Sequence, residues 1–85
     1  MEKNMNLEQE IIAFVAKAGK IPEYELDGTT EIYGSGIVSS LVIIDMIAFI
    51  EQRYNVIIAP EKLVEDNFKD IQTIAGFVAN LMKAA

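Results

Sequence analysis

The sequence predicts an all-α fold, a small antiparallel four-helix bundle in which three main helices are completed by a short third one. Two observations carry this. Apolar residues return every three or four positions over residues 6–18, 40–54 and 71–82, which places them on one side of a helix. The one β-branched run that suits a strand, Val56-Ile57-Ile58, is closed at once by Pro60 and has no partner strand to satisfy its backbone. Eighty-five residues make a single domain, 1–85 with a core from about 7 to 82, able to bury roughly 60 % of its unfolded surface.

In the first helix Leu7, Ile11, Phe14, Val15 and Ala18 share a face, with Glu8 and Glu10 in the first turn and Lys17 near the end, as the helix dipole favours. Asn6 and Gln9 have the form of a capping box, and Gly19 suits the stop. From Gly19 to Val38 neither helical nor strand periodicity appears. Pro22, Gly28, Gly34 and Gly36 alternate with isolated Ile21, Tyr24, Leu26, Ile32 and Ile37, the pattern of a long ordered loop pinned to the core by its apolar residues, with one short turn at Thr29-Thr30-Glu31-Ile32.

The second helix spans Ser40 to Tyr54. Its core stripe is expected to be Ile44, Ile47, Ile50 and Tyr54, with Leu41, Met46 and Ala48 at the margins and Val42 and Ile43 pointing outward. The β-branched content of residues 41–47 argues for a buried strand; length, the acid at Asp45 and the helical spacing that continues to Tyr54 decide for helix. Val56 and Ile58 then drop into the core from an extended loop, and Pro60 opens a turn around Glu61-Lys62-Leu63. A short third helix falls between Glu61 and Phe68, near Glu65-Asp66-Asn67. Asp70 caps the last helix, in which Ile71, Ile74, Ala75, Val78 and Leu81 share one face and Lys83 stands near the end. Phe14, Phe68 and Phe77 read as core, Met46 and Met82 as core or rim fillers, and Phe49 as lining either a cleft or the underside of the long loop.

Composition narrows the function. Cysteine and histidine are both absent, which removes disulfides, Cys/His zinc sites, thiol catalysis and a Ser-His-Asp triad, so no enzyme is expected. A net charge of −6 disfavours nucleic acid and anionic membrane surfaces and suits a basic protein partner. No apolar run is long enough to cross a membrane, and Met1-Glu2-Lys3-Asn4 lacks the features of a signal peptide, so a cytoplasmic monomer is the expectation.

The candidate site is Ser40. The glycine-flanked loop Gly34-Ser35-Gly36 gives way to Ser39-Ser40-Leu41 at the start of the most apolar helix. Ser39 can cap that helix while the Ser40 hydroxyl stays free at the positive end of the dipole, where an attached phosphate would be stabilised. Ser35 and Ser39 are weaker candidates, since neither is followed by leucine. Asp45 and Glu51 read as a solvated helix face without a catalytic pocket.

Gly36-Ile37-Val38-Ser39-Ser40-Leu41, then Ile44, Ile47, Ile50-Glu51, Tyr54, Val56-Ile57-Ile58-Ala59-Pro60 and Asn67-Phe68, resemble the acyl carrier protein family over about residues 7–82. In that family a serine in an Asp-Ser-Leu motif carries 4′-phosphopantetheine, and the matching position is Ser40. The chain departs from the motif at Ser39, which can cap like aspartate but lacks its charge. The resemblance implies that a phosphopantetheinyl transferase moves the arm from coenzyme A onto Ser40. The arm's thiol then holds an acyl or aminoacyl group as a thioester for activating and transferring enzymes of fatty-acid, polyketide, nonribosomal-peptide or related synthesis. It also implies that the second helix and the loop before it form the docking face, on which Val42, Ile43, Asp45, Met46 and Glu51 are the expected contacts. The few acids on this helix, the basic Arg53 and the outward Val42 and Ile43 point to apolar docking and a specialised carrier. The rival reading is an acidic, non-catalytic helical adaptor in which Ser40 is only a cap.

Overall fold

Helices α1 (Glu2–Gly19), α2 (Ser40–Tyr54), α3 (Glu65–Phe68) and α4 (Ile71–Ala84) form a small all-α four-helix bundle. They are seen in a computed structural model that describes residues 2–33, 36 and 39–84, with side chains described within residues 7–83. Among the described residues no strand occurs, and an isolated antiparallel bridge pairs Glu31 with Asp70. No helix among them is long and apolar enough to cross a membrane.

Helix α1 packs chiefly on α4 and α2, and α3 packs on α4. Leu7, Ile11, Ile12, Val15 and Ala16 are buried on α1, and Ile71, Ile74, Ala75 and Val78 on α4; the expected faces meet, with Ile12 and Ala16 added on α1 and with Phe14, Ala18 and Leu81 only half-buried. Burying each such isoleucine or valine contributes roughly 1.5–3 kcal/mol. The start of α1 differs from expectation. Nothing between Glu2 and Asn6 breaks a helix, so α1 begins at Glu2 and Asn6 lies inside it rather than capping it. Its end is closed by Lys20, at φ 57°, not by Gly19, and the Ile21 N–H returns to the Ala16 carbonyl at 2.9 Å.

The long loop is ordered by a few posts. Leu26 and Ile32 are buried as predicted, whereas Tyr24 is 87 % exposed on a 3-10 turn, Glu23–Glu25, that the sequence did not announce. Asp27 accepts from the Thr29 N–H at 2.8 Å and from the Thr29 hydroxyl at 2.7 Å, and these bonds hold its carboxyl below the ordinary value. Gly28 then passes so close to α1 and α4 that an added Cβ would lie 2.9 Å from Glu8 Oε1 and 3.2 Å from Gln72 Cβ, and its carbonyl accepts from the Gln72 N–H at 2.8 Å. The Ile32 N–H donates to the Lys69 carbonyl at 2.8 Å. The loop is thereby tied to the α3–α4 corner beside Tyr33. Gly34, Ser35, Ile37 and Val38 lie outside the described residues.

Beyond α2, Val56 and Ile58 are buried from an extended segment, and Pro60 opens a 3-10 turn, Pro60–Lys62. The short third helix falls within the expected window, with Phe68 buried at its end and edge-on to Phe77, centroids 5.6 Å apart. Asp70 caps α4 by accepting from the Thr73 N–H at 2.9 Å. Burial alone would raise its carboxyl, but hydrogen bonds from Thr73 and the Lys69 charge outweigh that and hold it below 3.8. The folded form therefore binds the proton more weakly than the unfolded chain. The cap's contribution is present above about pH 4 and is lost as pH falls through the lowered folded value. Asp70→Ala is expected to lower stability by about 1 kcal/mol near neutral pH, with the difference from the parent shrinking in strong acid. Denaturant unfolding at both pH values measures this, and an equal difference in both would show that the carboxylate charge is not what caps α4.

Candidate functional site

The two serines divide as their positions suggest. Ser39 sits at the N-cap with extended backbone, φ −78° and ψ 167°, and its hydroxyl accepts from the Val42 N–H at 3.3 Å. Ser40 is the first helical residue, exposed, and among the described residues no hydrogen bond engages its hydroxyl. The first turn of α2 carries no acid. An anionic group bonded to the Ser40 oxygen would therefore meet the positive end of a 15-residue helix whose first turn holds no carboxylate to oppose it. A phosphodiester-linked arm fits this position.

Ser40 opens on a groove of about 420 Å³. Its near wall is Ile43, Ile44 and Ile47 of α2; the far wall is Leu63, just after the 3-10 turn, and Phe68 of α3, and Tyr33 of the long loop closes one side. The groove exists because α3 is one turn long and packs on α4, leaving the neighbouring flank of α2 uncovered. Tyr33, Leu63 and Phe68 were not recognisable as site residues from the sequence: Leu63 stands more than twenty positions from Ser40, Phe68 was accounted for as core, and Tyr33, seven positions before Ser40, belongs to a loop without periodicity.

The exposed face of α2 is rotated from the expected one. Met46, expected at the margin and as a docking contact, is 1 % exposed and belongs to the core with Ile50. Ile44, expected in the core stripe, is 60 % exposed, and Leu41 is 72 % exposed. Val42 and Ile43, expected to point outward, are half-buried and packed against the core. The physical reason is that α2 is apolar on almost every side, so the choice of buried side falls to the neighbouring helices. Asp45 is exposed as expected. Glu51 is half-buried, and its Oε2 accepts from the Ile58 N–H at 2.9 Å, which makes it a tie to the next segment rather than a solvated acid.

Phe49 lines not this groove but a second recess, with Glu10, Ala13, Phe14, Lys17 and Arg53. It stacks on Phe14 of α1, centroids 4.8 Å apart, and meets Tyr54 edge-on at 6.3 Å. There the Glu10 carboxylate accepts from the Tyr54 hydroxyl and, at 2.8 Å, from Arg53 Nη2. Burial, then the bond to Glu10, pushes the Tyr54 phenol far above its ordinary range, so it stays a donor at any working pH.

Neither models of known protein families nor curated proteins match this sequence. The division between the serines is open to a direct test of stability. Ser39→Ala removes the cap and is expected to cost about 1 kcal/mol in denaturant unfolding, whereas Ser40→Ala leaves the midpoint near the parent's. Equal losses would show that both hydroxyls serve the helix end.

Proposed function

We propose that the chain is a carrier protein like those of the acyl carrier protein family, holding an acyl or aminoacyl group as a thioester on a 4′-phosphopantetheine arm joined to the Ser40 hydroxyl. The observation that carries the reading is an exposed serine, relieved of capping by Ser39, at the positive end of α2 and on the lip of an apolar groove. The arm, taken from coenzyme A by a phosphopantetheinyl transferase, would supply the thiol that a chain without cysteine lacks. Ser40 would bond its phosphate. Ile43, Ile44, Ile47, Leu63 and Phe68 would offer apolar cover to the cargo, each methylene sheltered from water contributing about 0.8 kcal/mol.

Incubation of the purified chain with coenzyme A and a broad-specificity phosphopantetheinyl transferase, followed by mass mapping, tests the attachment. The arm's mass is expected on Ser40, is absent in Ser40→Ala and is retained at least in part in Ser39→Ala. No addition, beside a control carrier that is modified in the same tube, would leave the acidic adaptor as the better reading.

Docking of the enzymes that load and unload the cargo belongs, on this reading, to the face that α2 leaves in solvent: Leu41, Ile44 and Asp45. Large exposed aliphatic side chains beside an attachment serine mark an interface more readily than a structural need. Apolar contact then leads and charge steers, as befits a specialised carrier. Leu41→Asp is expected to slow loading by the cognate activating enzyme about tenfold, ~1.4 kcal/mol, without altering the circular dichroism, and Asp45→Asn is expected to matter less. A steep loss of rate with salt, together with indifference to Leu41→Asp, would make the interface electrostatic instead.

A further inference from the structure

The two walls of the groove belong to parts of the chain that barely pack on each other. The near wall rides on α2, while the far wall, Leu63 and Phe68, follows a segment with no sheet partner, and α3 packs on α4. From Ile58 to Leu63 the backbone is held by its own turns, Lys62 N–H to the Ala59 carbonyl at 2.9 Å and Leu63 N–H to the Pro60 carbonyl at 3.1 Å, and its far end is tied to α3 by the Asn67 side-chain amide, which donates to the Lys62 carbonyl at 2.8 Å. A chain of local turns moves as a unit unless something anchors its origin. Ile58 is that origin, buried on its side-chain side and bonded on its backbone side to the Glu51 carboxylate, 2.9 Å away. Among the described residues this is the one side-chain hydrogen bond joining α2 to residues 56–68, beside the longer backbone bond from the Val56 N–H to the Glu51 carbonyl at 3.3 Å.

We infer that Glu51 is a positioning residue for the groove, its carboxylate fixing the distance between the α2 wall and the Leu63 wall and so setting how closely an apolar cargo is covered. The inference rests on the carrier reading for the cargo, but the tether itself is a property of the apo chain. An acceptor is what the geometry demands, not a charge. Glutamine keeps an oxygen at the end of the same side chain, and alanine removes it. The neighbouring Ile57 is 85 % exposed and offers no substitute anchor.

Amide hydrogen exchange followed by NMR on the full chain reads the tether directly. In Glu51→Ala the amides of Ile58 and Leu63 are expected to exchange about tenfold faster, the loss of one part-buried hydrogen bond, while the amide of Ile74, deep in α4, exchanges as in the parent. Glu51→Gln is expected to restore both. With an octanoyl thioester on the Ser40 arm as probe, hydroxylamine should cleave Glu51→Ala faster than the parent or Glu51→Gln. Unchanged exchange at Ile58 and Leu63, equal acceleration at Ile74, failure of glutamine to rescue, or cleavage rates alike in all three would each overturn the assignment. Failure of Ser40 to accept an arm counts against the carrier reading alone, since the exchange measurements decide the tether without it.

Discussion

The clasp between α1 and the C-terminal half of α2 is the constraint on which the rest of the site depends. Phe14 and Phe49 stack face to face, Tyr54 stands edge-on to Phe49, and the Glu10 carboxylate takes hydrogen bonds from both Tyr54 and Arg53. The Arg53–Glu10 ion pair is largely open to solvent, so by itself it contributes at most about 1 kcal/mol. The aromatic packing carries more, about 0.5–1.5 kcal/mol for each ring pair beyond its buried area. With Met46 and Ile50 also buried, α2 is secured over its later turns. On its first turns Ser40, Leu41 and Ile44 face solvent, while Val42 and Ile43 rest against the core. A serine that must be reached by an outside group is served by such an arrangement, because the helix end gains accessibility without the helix losing its footing.

The groove follows from what is too small to cover that exposed end. A four-residue helix has no independent stability. Phe68 holds α3 in place by burying its ring edge-on to Phe77, with the Asn67 side-chain amide donating to the Lys62 carbonyl at 2.8 Å. Both contacts draw α3 toward α4 and the preceding turn. The flank of α2 formed by Ile43, Ile44 and Ile47 is thus left without a partner helix, and apolar area that a longer α3 would have covered lines a recess instead.

Several acids of this strongly acidic chain serve the backbone. Asp27 closes a turn, Asp70 caps α4, and the Glu51 carboxylate satisfies the Ile58 N–H, beside the Val56 N–H that donates to the Glu51 backbone carbonyl. Each replaces a hydrogen bond that regular structure would have supplied, which is how long irregular segments stay ordered in so small a fold. Asp45, Glu61, Glu65 and Asp66, by contrast, are exposed and free to shape how other molecules approach.

The span of α2, the Ser39 cap, a short helix between Glu61 and Phe68 and the Asp70 cap were all legible in the sequence, because each is signalled by residues close to one another in the chain. The division between Ser39 and Ser40 is local in the same sense. The buried side of α2 was not legible. Leu41, Val42, Ile43, Ile44, Met46, Ile47, Phe49 and Ile50 make it apolar nearly all round, so no periodicity within the helix distinguishes the core stripe from the exposed one. The contact with α1 breaks that degeneracy, turning Met46 inward and Ile44 out. The groove was hidden for a related reason, since Tyr33, Ile47 and Leu63 meet only when the long loop, α2 and the α3 corner are packed together. Local chemistry determined where α2 and α4 begin and which serine is free; the competition of several apolar faces for one core, which is a non-local matter, decided what that serine faces.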